Sequence, residues 1–258
     1  MQKKRSLGQH FLHSTAYLRA VADAGNVKAG DVVLEIGPGD GALTRELLAR
    51  SAKVVAVEKD HRLIPLLAEK FANEITDGKL VLHEGDALEV DPATLGLENH
   101  HFKLVANIPY YITGALFRKF LSGDMQPSTL VFLVQKEVAE RIARSKKESI
   151  LSLSVKAYGM PKYVKTVPRG AFSPAPSVDS AILLISDISR EKFNNSEHEQ
   201  RFFELIHAGF AQKRKLLKRN IEGVLGQNAA EKMALADIGE KARSEDVPIE
   251  KWLTLARA

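Results

Sequence analysis

Val32-Val33-Leu34-Glu35-Ile36-Gly37-Pro38-Gly39-Asp40-Gly41-Ala42-Leu43-Thr44 decides the fold. A short apolar, β-branched run is followed by a glycine-rich turn and then by a helix-forming segment that extends to Arg50. Strand, tight turn and helix in that order are the opening of a βαβ unit. The pattern repeats outward. Val54–Val57 precedes a helix over Arg62–Asn73, and Leu80–Leu82 leads into Gly85-Asp86-Ala87. Lys103–Ala106 leads into Asn107, and Leu130–Val134 into a helix over Lys136–Arg144. Such alternation predicts an α/β domain with a mostly parallel sheet and helices on both faces. The stretch Ile150–Tyr158 fits either a strand or a helix. Tyr163–Val167 and Val178–Ile185 read as two late strands joined by a proline-rich turn, an antiparallel hairpin closing the sheet. The polar stretch 186–199 marks a boundary, beyond which Gln200–Phe210, Lys213–Leu225, Ala229–Ala236 and Ile249–Ala256 read as helices. The expected domains are therefore 1–187 and a small all-helical domain, 188–258.

The chain of 258 residues carries 37 Lys and Arg against 32 Asp and Glu, a net charge of +5. That excess permits a polyanionic partner without requiring one. Absence of cysteine removes disulfides and thiolate metal sites, and the eight histidines show no HxxxH or HExxH spacing, so no metal is expected. The basic stretch Met1–Arg5 is not followed by an apolar core of signal-peptide length, and no apolar run could span a bilayer. A cytoplasmic monomer without membrane association is the expectation.

The glycine turn invites a nucleotide-bearing cofactor, because glycine lets backbone approach a ligand in conformations closed to side chains. Gly37, Gly39 and Ala42 satisfy the dinucleotide spacing G-x-G-x-x-G/A, so an NAD-linked oxidoreductase is a rival on spacing alone. Glu58 ends the next strand, 21 residues after Gly37, where a carboxylate can bind both ribose hydroxyls. Two acids favour S-adenosylmethionine. Glu35 would face a cationic methionine end and would repel a diphosphate, and Asp86 could accept from an adenine amine.

Asn107-Ile108-Pro109-Tyr110 then closes a strand with an amide, a carbonyl held by a proline-stiffened turn, and an aromatic ring. The Asn107 oxygen and the Ile108 carbonyl can each accept an amine hydrogen while Tyr110 stacks on the ring, which suits chemistry on the amino group of an unstacked base. Asn and Pro also form ordinary turns, Phe172 is by residue type a core aromatic, Tyr111 reads as structural, and Asp86 could merely cap a turn.

Taken in order, these motifs resemble the ribosomal RNA adenine N6,N6-dimethyltransferases of the KsgA family. The resemblance is carried by Leu7-Gly8-Gln9-His10-Phe11-Leu12, the glycine motif from Glu35 to Thr44, Glu58, Gly85-Asp86-Ala87 and Asn107-Ile108-Pro109-Tyr110. Phe172-Ser173-Pro174-Ala175-Pro176-Ser177-Val178-Asp179-Ser180-Ala181 completes it. It implies a Rossmann-like class I methyltransferase sheet and S-adenosylmethionine as cofactor. It implies that His10, Leu12, Gly37, Glu58, Asp86 and Asn107 contact that cofactor, with Tyr110 and Phe172 sandwiching the target adenine. The implied substrate is a pair of adjacent adenosines in the small-subunit (16S) rRNA hairpin near the 3′ end, as free RNA or within a pre-ribosomal particle. Two departures stand out: His10 where many members carry Asn, and Ile108 where Leu is usual. Ile is common there in the erythromycin-resistance methyltransferases of large-subunit (23S) rRNA, the nearer alternative. A non-catalytic ribosome-assembly or transcription factor on the same fold is the more distant one. Lys213, Arg214, Lys215, Lys218 and Arg219 are expected on one helix, with Lys215, Lys218 and Arg219 sharing a face that holds RNA phosphates.

Overall fold

The computed structural model describes residues 10–50 and 52–258, so Leu7, Gly8 and Gln9 of the amino-terminal motif lie outside the described residues. The chain divides into two units, residues 1–139 with 160–188, and residues 140–159 with 189–258.

The first unit is built on a seven-stranded sheet. Its strands are β2 (Val32–Ile36), β3 (Lys53–Glu58), β4 (Leu80–Glu84), β5 (Lys103–Asn107), β6 (Thr129–Gln135), β7 (Met160–Val167) and β9 (Ser180–Ser186), in the order β4-β3-β2-β5-β6-β9-β7. Strands β2 to β6 run parallel, and β9 is antiparallel to both β6 and β7. The expected late hairpin is therefore present, with its second strand inserted inside its first. Central residues Val33, Val54, Leu104, Val105, Val131 and Leu133 are fully buried. Parallel strands covered on both faces read as unbroken apolar runs for that reason. Covering helices are α1 (Thr15–Ala24), α2 (Ala42–Leu48), α3 (Ile64–Lys70), α4 (Ala72–Thr76), α5 (Thr113–Ser122) and the start of α6 (Lys136–Ala143). The single helix expected over Arg62–Asn73 is broken at Phe71, which takes φ −120° and ψ 30° while its buried ring packs against the glycine turn.

A separate two-stranded sheet pairs β1 (Phe11–Leu12) with β8 (Phe172–Ser173), Leu12 opposite Phe172. It joins motifs that lie about 160 residues apart in the chain.

The second unit is helical. It holds the end of α6, α7 (Ile150–Tyr158), α8 (Ser196–Phe210), α9 (Leu217–Leu225), α10 (Ala229–Leu235) and α11 (Ile249–Arg257). The ambiguous stretch is α7, started by a capping box in which the Ser149 hydroxyl accepts from Ser152 N–H and the Ser152 hydroxyl accepts from Ser149 N–H. A single cut at 187/188 does not describe the division, because residues 140–159 group with the carboxyl-terminal helices. The physical link is Tyr158, fully buried, ringed by Phe193 and Phe203 and hydrogen-bonded to Glu199. His198 is likewise structural: its Nδ1 accepts from Asn194 N–H, leaving Nε2 to donate to the Leu253 carbonyl at 2.9 Å.

The helix expected over Lys213–Leu225 begins only at Leu217. Lys213, Arg214 and Lys215 lie in the exposed turn before it. Three consecutive cations in a first helical turn would oppose the positive end of the helix dipole. Asn220 instead closes the turn, its amide donating to the carbonyls of Gly209 and Gln212 at the end of α8. Lys215 therefore does not share a helix face with Lys218 and Arg219, and Leu216 next to it is 40% exposed.

Candidate active site

Strands β4, β3, β2 and β5 are consecutive neighbours and parallel, so their carboxyl ends form one edge. Along it lie, in order, Asp86, Glu58, the turn from Gly37 to Gly41, and Asn107. The chain leaves β2 toward β3 and later returns to β5 on the opposite side of β2. That reversal opens the crevice in which ligands bind in open α/β sheets. A cavity occupies it, bordered by all four of these elements and by His10, Leu12, Ile108 and Tyr110.

Gly37, Gly39 and Gly41 have φ of +67°, +62° and +76°. A Cβ at Gly37 would meet nothing within 4 Å, whereas one at Gly39 would stand 2.7 Å from the Phe11 ring and one at Gly41 2.5 Å from the Phe71 ring. Gly37 thus presents bare backbone to the cavity, and the other two let aromatic rings close over the turn.

Glu58 ties this turn to β3. Its Oε2 accepts from Gly39 N–H at 3.1 Å and its Oε1 from Asp60 N–H at 2.8 Å. Burial raises its pKa, partly opposed by those two N–H groups. Glu35 is 1% exposed and accepts from the Thr44 hydroxyl at 2.7 Å. Burial pushes its carboxyl up to about 8, against the Thr44 hydrogen bond and with help from Glu58 and Asp40 nearby. Near neutral pH Glu35 is therefore mostly protonated. Asp86 is held low by the Lys59 ammonium at 2.5 Å, and its other oxygen accepts from Leu88 N–H at 2.9 Å.

At the end of β5, Asn107 Nδ2 donates to the His10 carbonyl at 2.9 Å. A carbonyl only accepts, so the amide orientation is settled and Oδ1 is left as an acceptor. His10 Nδ1 donates in turn to the Pro174 carbonyl at 2.8 Å. The His10 ring lies over Tyr110, centroids 6.0 Å apart and planes 24° from parallel. The Tyr110 hydroxyl meets Ser180 Oγ at 2.7 Å, and Ser180 is fully buried.

Every residue expected at the cofactor thus borders one cavity: His10, Leu12, Gly37, Glu58, Asp86 and Asn107. Ile108 and Tyr110 join them. Phe172 does not. It is 5% exposed and packs in the core with Leu12, because the β1–β8 pairing sets the two side by side. Tyr111 departs in the opposite sense, being 66% exposed on the cavity rim rather than a structural aromatic. Thr44, Lys59 and Ser180 act on the site through hydrogen bonds that join different elements, and no local spacing signals them. Among the described residues no cluster of His, Asp or Glu could hold a metal ion. Lys213, Arg214 and Lys215 lie in the other unit, exposed in their turn, with Lys218 half-buried and Arg219 exposed.

The family model of the ribosomal RNA adenine dimethylases matches residues 1–258. A ribosomal RNA small subunit methyltransferase A of Dehalococcoides mccartyi is 40% identical, covering 99% of this chain and 88% of that protein. The enzyme of the same name in Deinococcus radiodurans is 39% identical, covering 100% and 86%. Among solved structures, a 23S rRNA methyltransferase, ErmE, superposes with a TM-score of 0.78 at 26% identity, covering 96% of this chain and 98% of that one. A dimethyladenosine transferase from Plasmodium falciparum superposes with a TM-score of 0.77 at 26% identity, covering 95% and 96%.

Proposed function

The chain belongs to the ribosomal RNA adenine dimethylase family, and from that premise we propose how its residues divide the work of dimethylating adjacent adenosines in small-subunit rRNA. The single observation that carries the division is the Asn107 amide, pinned by the His10 carbonyl so that its oxygen remains an acceptor beside an acid-lined cavity. The small-subunit relatives at 39–40% identity weigh more than the 23S methyltransferase at 26% in choosing the substrate.

The cavity fits S-adenosylmethionine. Bare backbone at Gly37 admits close approach, Glu35 suits a cationic end, and Glu58 can take ribose hydroxyls on lone pairs not used by Gly39 and Asp60. Asp86 suits an adenine amine once Lys59, 59% exposed at its side chain, yields to it. Glu58 and Asp86 beside the glycine turn oppose a diphosphate, and a buried, protonated Glu35 gains a charge pair only with a cation, which disfavours NAD. The bound cofactor supplies an electrophilic methyl group.

The amine of adenine is a weak nucleophile because its lone pair is delocalised into the ring. Asn107 Oδ1 and the Ile108 carbonyl accept its two hydrogens and favour the tetrahedral nitrogen that methyl transfer requires. Tyr110 holds the base by its ring face, with its position fixed by Ser180 and His10. Phe172 supports this arrangement through Leu12. Catalysis is then positioning and electrostatics, with no covalent enzyme intermediate and no strong base, since the amine proton becomes acidic after transfer. The exposed turn Lys213-Arg214-Lys215, with Lys218 and Arg219, supplies phosphate contacts that place the RNA without reading its bases. The protein acts as a monomer in the cytoplasm, on free rRNA or a particle being assembled.

Incubation with a small-subunit rRNA hairpin bearing two adjacent adenosines and labelled S-adenosylmethionine tests this. N6-dimethyladenosine should form at both positions with the native chain and at neither with Asn107→Ala. Equal methylation by the variant would remove Asn107 from the centre of the reaction.

A further inference from the structure

Tyr111 stands apart from the other tyrosines. Tyr110 is bonded to Ser180 and stacked by His10, Tyr158 is bonded to Glu199, Tyr163 to Thr166, and Tyr17 lies under the Lys165 ammonium. Tyr111 has neither a hydrogen bond nor a ring partner among the described residues, and it is 66% exposed. Isolated exposed apolar groups are ordinary on a surface. This one borders the cavity that holds Asn107 and Tyr110.

Its placement has a backbone cause. Pro109, at φ −60° and ψ 134°, lies two residues past the end of β5 and starts a single 3-10 turn over Tyr110–Ile112. Three residues complete such a turn, so successive side chains diverge by roughly 120°. Tyr110 is thereby turned inward and Tyr111 outward, two rings on one rigid turn, one within the cavity and one on its rim. Lys59, also exposed, borders the same cavity, where an ammonium can meet a phosphate.

We propose that Tyr111 is the stacking platform for the nucleobase next to the target adenine, a second base subsite at the mouth of the cavity. Extracting a base from its stack leaves its neighbour with an uncovered ring face. An exposed tyrosine ring on the turn that holds the extracted base offers a replacement surface, and base–aromatic stacking tolerates any base. The proposal rests on the rRNA reading above and adds where the adjacent nucleotide goes.

The test is binding of hairpin RNA carrying two adjacent adenosines to the native chain, Tyr111→Ala and Tyr111→Phe. Each protein is also titrated with RNA made abasic on the 5′ or on the 3′ side of the target. Tyr111→Ala should weaken RNA binding about tenfold, Tyr111→Phe should bind as the native chain does, and S-adenosylmethionine affinity should be the same in all three. Removing the neighbouring base on one side should cost the native chain a similar factor and cost Tyr111→Ala nothing further, since the lost partners are the same. Unchanged binding by Tyr111→Ala, or losses that multiply with both abasic RNAs, would overturn the subsite. Failure of the native chain to bind or methylate the intact hairpin would instead overturn the rRNA reading beneath it.

Discussion

Asn107 and His10, 97 residues apart in the chain, are joined by a hydrogen bond from the Asn107 side-chain amide to the His10 carbonyl at 2.9 Å. The residue at the centre of the proposed chemistry is therefore oriented by the backbone of the segment that also borders the proposed cofactor cavity. Asn107→Asp replaces a donor by an acceptor facing that carbonyl. It should lower methyl transfer at least about a hundredfold while leaving the chain folded. Thermal unfolding within a few degrees of the native chain, together with retained activity, would refute the need for an oriented amide.

Glu35 titrates across neutral pH. Its folded pKa of about 8 lies above its ordinary 4.5. Between those values the folded state holds a proton that the unfolded state has lost, so stability falls as pH rises through the window. Glu35→Gln removes this dependence, and the variant should gain stability relative to the native chain from pH 5 to pH 8. A melting-temperature difference that stays flat over that range would contradict the burial of an uncharged Glu35. Binding a cationic ligand should release the same proton, so calorimetry below pH 8 should show a heat that varies with the buffer's ionisation enthalpy.

Glu58 holds the glycine turn through Gly39 and Asp60 and is proposed to bind the ribose as well. Glu58→Ala removes acceptors from the Gly39 and Asp60 N–H groups, at a cost of about 1.5–3 kcal/mol for each bond at most. Glu58→Gln keeps one acceptor oxygen and should lie between. If both variants bound S-adenosylmethionine as tightly as the native chain, the ribose assignment would fail.

Tyr110 should act by its ring. Tyr110→Phe loses the hydrogen bond to Ser180, worth about 1 kcal/mol of stability, and should keep most activity. Tyr110→Ala should lose roughly 1–3 kcal/mol of substrate binding. Equal loss of activity in both would shift the role to the hydroxyl.

The basic turn should hold phosphates. Replacing Lys213, Arg214 and Lys215 by Gln should weaken rRNA binding and flatten its salt dependence by about 0.7–0.9 per lost contact, with cofactor affinity unchanged. An unaltered salt slope would leave the turn a solvated surface.

The order of strands and turns was legible in the sequence because each depends on neighbours a few residues away. Apolar runs such as Val54–Val57 marked strands, and Gly37-Pro38-Gly39-Asp40-Gly41 marked a turn with left-handed backbone. Residue type and position after a strand likewise identified Glu58, Asp86 and Asn107 as cavity groups. Tertiary structure decided what those signals leave open. Pairing β1 with β8 drew Phe172 into the core and set the His10 ring over Tyr110. Aromatic packing around Tyr158 moved residues 140–159 into the helical unit. The Asn220 amide, capping the end of α8, left three cations of a periodic pattern in a turn. Each of these outcomes rests on contacts between residues distant in the chain, whose free energy exceeds the local preference and leaves no mark in spacing or composition.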